Sequence, residues 1–248
     1  MQKKKDCEIL INAKKILFIA FLVAQCIIWI VLLFANLSWH TELSYATVVF
    51  CFVFSLLFLK KGKDGVFQSI AFFFTCIADY FLVLLGGENK TLAMCAFLCA
   101  QIAYACRVYL LSKNDKEKRL QILFRGIFGV IGASAVFIVL REKTEALFVI
   151  SVVYYVQLLL SMIFSFLHFK DGLSVKLLAI GLLSFALCDI SIGFDFLIDI
   201  FSLGEDSILY YIVYKMPVSM VTLFYPPSQA LLCASAKVAN RMDKTESI

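Results

Sequence analysis

The chain has 248 residues, of which 62% are hydrophobic and 17% charged, with 25 Phe and 3 Pro, a composition far outside that of a soluble domain. Its formal charge of +5 would suit nucleic acid, but the cations fall in short stretches between apolar runs, where membrane topology accounts for them and no nucleic-acid partner is expected. Nine cysteines are an odd number, all but Cys7 lie in apolar runs, and His40 and His168 lack metal-site spacing, so neither a disulfide framework nor a metal or other cofactor is expected.

Eight apolar runs predict membrane-crossing helices at 16–36, 43–59, 66–85, 91–112, 121–140, 146–167, 177–199 and 216–236. Runs of that length favour helices over a barrel, whose strands would alternate every second residue. The expected fold class is an all-α polytopic membrane protein, a bundle of eight helices forming one integral membrane domain over residues 1–248. The first run follows a Lys-rich start as a signal peptide would, but it is long and lacks a small-x-small cleavage site, so it is expected to stay as a helix. The second run is the shortest and suits a thinned bilayer or little tilt. The fifth carries Gly126, Gly129, Gly132 and Ala133, which permit close helix approach. Tyr210, Tyr211 and Tyr214 resemble an interfacial aromatic belt, and Pro217 fits the first turn of the last helix.

Seventeen Lys and Arg fall on the side of the termini and four on the other, so both termini are expected in the cytoplasm. Arg107 and Arg125 lie inside apolar runs and are expected to snorkel back to the cation-rich side.

The acids inside the runs stand out. A charge at the bilayer centre costs at least ~2.5–3.5 kcal/mol on insertion scales and by default marks a functional site. With a rise of about 1.5 Å per residue, Asp79, Gln101, Tyr104, Tyr154, Tyr155, Gln157, Asp189, Tyr225 and Gln229 all fall in one slab roughly 10–20 Å below the outer face. Gln101 shares a helix face with Tyr104, and Tyr225 with Gln229, while Asp195 and Asp199 point elsewhere and suit an outer mouth. Each residue alone has a plainer reading as helix-to-helix glue. Two aspartates without an equally deep Lys or Arg favour a wet cavity over a salt-bridged core. The stretch Tyr225-Pro226-Pro227-Ser228-Gln229 is expected to break the last helix and start a half-helix at mid-membrane, whose free N–H groups would suit an anion or a developing oxyanion; a plain proline kink is the alternative.

These segments, spread over residues 66–236, resemble the YhhN-like family of eight-helix membrane proteins, which includes the lysoplasmalogenases. The resemblance rests on Ala78-Asp79, Gln101-Ile-Ala-Tyr104, Tyr155-Val-Gln157, Leu183 through Phe196, and Tyr225-Pro-Pro-Ser-Gln229. The family usually has Gly before the first aspartate, often His in place of Gln101 and typically Asn in place of Asp195. The resemblance implies hydrolysis of the vinyl ether of a lysoplasmalogen, a lysophospholipid, to a fatty aldehyde and a glycerophospho-alcohol. Asp79 and Asp189 are the expected catalytic pair, with Gln101, Tyr104, Tyr155, Gln157, Asp195, Tyr225 and Gln229 around the substrate and no metal. Membrane lipids surround the protein, and the plasma membrane of a bacterial cell is the expected location. Two other classes fit the same slab: a transporter with a midplane site, and a non-catalytic lipid-binding protein.

Overall fold

A computed structural model describes residues 2–35, 38–57 and 62–245, and every regular element among them is helical. The elements are α1 (Gln2–Phe34), α2 (His40–Leu57), α3 (Lys63–Asp79), α4 (Lys90–Leu111), α5 (Asp115–Leu140), α6 (Ala146–Leu167), α7 (Leu173–Phe201), the short α8 (Ile208–Tyr210) and α9 (Met220–Thr245). The chain is an all-helical polytopic membrane protein. Six of its helices are long and apolar enough to cross a bilayer, and a seventh crossing results if Ile208–Lys215 and Met220–Ala236, bent by 66°, count as one span. The apolar part of α2, His40–Leu56, is shorter than these. The predicted ends at 36 and 59, and the predicted loop cations Lys60 and Lys61, lie outside the described residues.

Helices run beyond their apolar stretches where local chemistry supports them. Helix α5 begins at Asp115 rather than 121 because Asn114 caps it, its side chain accepting from the Glu117 N–H at 2.8 Å. The turn before α4 needs Gly86 and Gly87, at φ 60° and 78°.

Helix α9 lies at the centre, packed on α1, α2, α3 and, most extensively, α7. Its contact with α7 is close because Gly181 has no side chain: a Cβ there would lie 2.9 Å from Leu232 Cγ. Helix α4 joins α3 to α6, and α5 packs chiefly on α6. Of the glycines expected to hold α5 close to a neighbour, Gly132 meets Val152 and Val156 of α6, whereas Gly126 faces nothing within 4 Å. The rest of α5 is an apolar surface, Val130 and Ile138 being 67% and 72% exposed, as a lipid-facing helix requires.

The last helix departs from its sequence-based expectation. Helix α9 continues through Pro226 and Pro227, and the bend falls earlier, at 216–219, so Pro217 lies before the helix and not in its first turn. Proline at 226 removes the N–H that would bond the carbonyl of Thr222. The indole of Trp29, on α1, donates to that carbonyl at 3.2 Å, so a neighbouring helix replaces the missing backbone donor.

Candidate functional site

Asp79 ends the regular part of α3, immediately before a π-helical segment, Tyr80–Leu84, of the kind that often marks a functional position in a helix. Its carboxylate, 3% exposed, accepts a short hydrogen bond from the Tyr225 hydroxyl of α9. Asp189 in α7 is half-buried, and its carboxylate accepts a short bond from the Tyr154 hydroxyl of α6. Two aspartate–tyrosine pairs from four helices therefore share one layer.

Phenyl rings connect the pairs. Phe97 lies 5.7 Å from Tyr154 and 6.2 Å from Phe185 between ring centroids, and Phe185 lies 5.8 Å from Tyr225. Phe185 is fully buried and Phe97 nearly so, which makes the layer apolar apart from its carboxyls and phenols. Through these rings the two carboxyls belong to one layer, and Cys188, almost fully buried, precedes Asp189 in the chain.

The other residues expected in the slab divide among separate groups. Tyr104 accepts from Gln68 Nε2 at 3.5 Å, and Gln68 in turn accepts from Arg107 Nη1, so Tyr104 belongs to a cluster nearer the inner end of α4. Arg107 turns toward the cation-rich end, to Asp64 in the first turn of α3, and meets a protein partner there. It is 1% exposed and bidentate to Asp64, with Nε to Oδ1 at 2.8 Å and Nη2 to Oδ2 at 3.1 Å, and Nη2 also reaches Ser235 Oγ at 3.1 Å. The cation is thus paired at the start of α3, whereas Asp79 closes the other end of that helix.

Gln157 pairs with Arg125, whose Nη1 donates to the Gln157 carbonyl at 3.3 Å, to its Oε1 at 3.2 Å and to Ser161 Oγ at 3.1 Å. Arg125 is thereby held on α6 rather than extended to a membrane face. Asp195 accepts from Tyr214 toward the outer end of α7, apart from the aspartate pair. Tyr155 is half-buried beside Tyr154 and within electrostatic reach of Asp189, without a hydroxyl bond to it. Gln101 and Gln229 are fully buried, each one turn inward of a ring of the layer, Phe97 and Tyr225 respectively.

Tyr154 is the site residue that sequence reasoning passed over in favour of its neighbour. The signal was present in the buried stripe Tyr154, Leu158, Ser161 and Ser165, whose spacing places Tyr154 on the inner face of α6. Among the described residues no group of three or more His, Cys, Asp or Glu is arranged to hold a metal ion.

An open cleft of 520 Å³ lies where α4 and α6 begin, lined by Gly87, Glu88, Lys90, Cys95, Glu145 and Leu147 among others. From Lys90 to Phe97, and from Leu147 to Tyr154, is seven residues, or about 10 Å of helix. The cleft therefore sits above the aspartate–tyrosine layer.

Buried carboxyls with phenolic partners inside an all-helical bundle define a polytopic membrane protein with an intramembrane polar site. A model of the YhhN family matches residues 39–235. The chain belongs to that family, and the match spans every residue of the two aspartate–tyrosine pairs. No curated protein and no solved structure matches the chain.

Proposed function

We propose that the protein is a membrane-embedded hydrolase of the lysoplasmalogenase type, cleaving the vinyl ether of a single-chain ether phospholipid in a bacterial plasma membrane. The observation that carries this reading is the pair of carboxyls, Asp79 and Asp189, in one ring-lined layer but in unequal surroundings, each with a tyrosine hydroxyl on one oxygen.

A vinyl ether reacts when its β-carbon takes a proton, which leaves an oxocarbenium ion. Water adds to the adjacent carbon and gives up a proton, forming a hemiacetal. The hemiacetal then breaks its bond to the glycerol oxygen, which takes a proton, releasing fatty aldehyde and glycerophospho-alcohol. One carboxyl supplies the first proton and the other accepts the proton of water, a division of labour that two carboxyls in different environments can perform. The tyrosines hold one oxygen of each carboxyl and leave the other facing the reacting atoms. Rings of Phe97 and Phe185 line the space between and keep bulk water from the cation. A lipid whose headgroup rests in the outer cleft would place its first chain carbons about 10 Å lower, at the ring layer.

The proposed topology has eight crossings, with α2 and the bent segment before α9 each completing one, and both termini in the cytoplasm. Mass spectrometry of lysoplasmalogen incubated with purified protein tests the activity. Free aldehyde is expected from the vinyl ether and none from a saturated ether analogue. Asp79→Asn and Asp189→Asn should each lower the rate by about 10²–10⁴-fold while the protein stays folded. A folded protein that releases no aldehyde, yet moves a solute across liposomes dependent on Asp189, would replace this reading with a transporter.

A further inference from the structure

Gln101 is fully buried, and among the buried amides of the described residues it is the one in which neither the nitrogen nor the oxygen has a hydrogen-bond partner. Gln229 is equally buried; its Nε2 donates to Ser228 Oγ at 3.3 Å and its Oε1 has no partner. Buried amides in folded proteins are bonded to protein or to ordered water almost without exception.

Both side chains belong to the same level of the bundle. Gln101 follows Phe97 by one turn in α4, Gln229 follows Tyr225 by one turn in α9, and Phe185 touches both Phe97 and Tyr225. Helical side chains lean toward the N-terminus of their helix, over the preceding turn. Each amide is thereby directed back toward the ring layer that carries the two aspartate–tyrosine pairs. The three buried atoms without a protein partner, Gln101 Nε2 and Oε1 and Gln229 Oε1, therefore lie within one helical turn of that layer, and a buried water typically takes two to four polar partners.

We propose that the amides of Gln101 and Gln229 hold water on the inner side of the ring layer, and that this is the water consumed by the reaction. The assignment of that water to hydrolysis rests on the function proposed above; its presence does not. Lipid then enters from the outer cleft and water is kept on the opposite side of the rings, so the oxocarbenium ion is captured by a positioned molecule. Gln101 is a positioning residue: it acts through the water.

X-ray footprinting of the purified protein tests the site, because a brief pulse converts water to hydroxyl radicals in place and these oxidise adjacent side chains. Phe185 and Cys188, both almost fully buried, should be oxidised, while Phe21, similarly buried among Phe18 and Phe54, should not. Gln101→Leu should lose that oxidation with no drop in melting temperature, and Gln101→Met should do the same. In both, kcat should fall about 10²-fold while KM changes less than about twofold, since ground-state binding is untouched. Unoxidised Phe185 and Cys188 in the natural protein, oxidation that persists in both variants, or a clear drop in melting temperature of both would overturn the proposal, the last because the amide would then be bonded within the protein. Oxidation without aldehyde release removes the hydrolase reading and leaves the water site; aldehyde release without oxidation does the reverse.

Discussion

Asp64 and Arg107 allow a quantitative test of how this bundle is held together. The guanidinium is 1% exposed and the Asp64 side chain 31% exposed, so removing the acid strands a charge that water cannot reach, whereas removing the arginine leaves an acid that can rehydrate. Breaking a buried pair from one side typically costs ~3–5 kcal/mol, and replacing both partners by apolar groups of similar size is often neutral or stabilising. Asp64→Leu should therefore destabilise by about 3–5 kcal/mol. Arg107→Met should cost less, about 1–3 kcal/mol, because Gln68 and Ser235 lose a donor but keep other polar contacts. The double variant should be more stable than Asp64→Leu alone, giving a coupling energy of roughly 2 kcal/mol or more between the two sites. Unfolding by increasing SDS in mixed micelles, followed by tryptophan fluorescence, supplies the four free energies. A cost below about 1 kcal/mol for Asp64→Leu, or strict additivity in the double variant, would refute the claim that a buried charge is being neutralised. The ion pair is remote from the aspartate layer, so folded Arg107→Met protein should keep its kcat within a few-fold.

Trp29→Phe keeps the ring but leaves the Thr222 carbonyl without a donor, and should destabilise by about 1–3 kcal/mol; no change in the same SDS titration would mean that the indole bond contributes nothing. Gly181→Ala places a Cβ against Leu232 and should cost about 1–3 kcal/mol, with a loss of activity exceeding the loss of folded protein because α7 and α9 carry Asp189 and Tyr225; wild-type stability and turnover would show that the helices separate freely. Lys113 and His168 beside Asp171 hold its carboxyl below the usual range, so this group stabilises above its unfolded pKa of about 4 and loses that effect as pH falls through the folded value. Melting curves of Asp171→Asn should accordingly lie slightly below the natural protein at neutral pH and converge with it at strongly acid pH; a gap that widens on acidification would contradict the pairing.

The membrane class and the two central acids were legible in the sequence because both depend on composition alone. A run of some twenty apolar residues has no other stable setting, and an aspartate inside one is anomalous whatever surrounds it. Local rules also located every long helix, although their ends moved where polar capping groups such as Asn114 extended them. What each acid bonds to was not legible. Tyr225 reaches Asp79 across 146 residues of chain, and the choice of Tyr154 over Tyr155 depends on which face of α6 meets α7. Depth along a helix follows from residue number, but azimuth and neighbour follow from packing. The same limit shows in two of the sequence expectations. Pro226 does remove a backbone donor, as its ring dictates, yet Trp29 from another helix supplies a replacement and the helix continues. Arg107 turns toward the cation-rich end as its long stem allows, but that a bidentate acid, Asp64, waits there depends on how α3 packs on α4. Chain-local chemistry determined which groups need a partner; only the assembled bundle determined which partner each one found, because those partners come from helices far away in sequence.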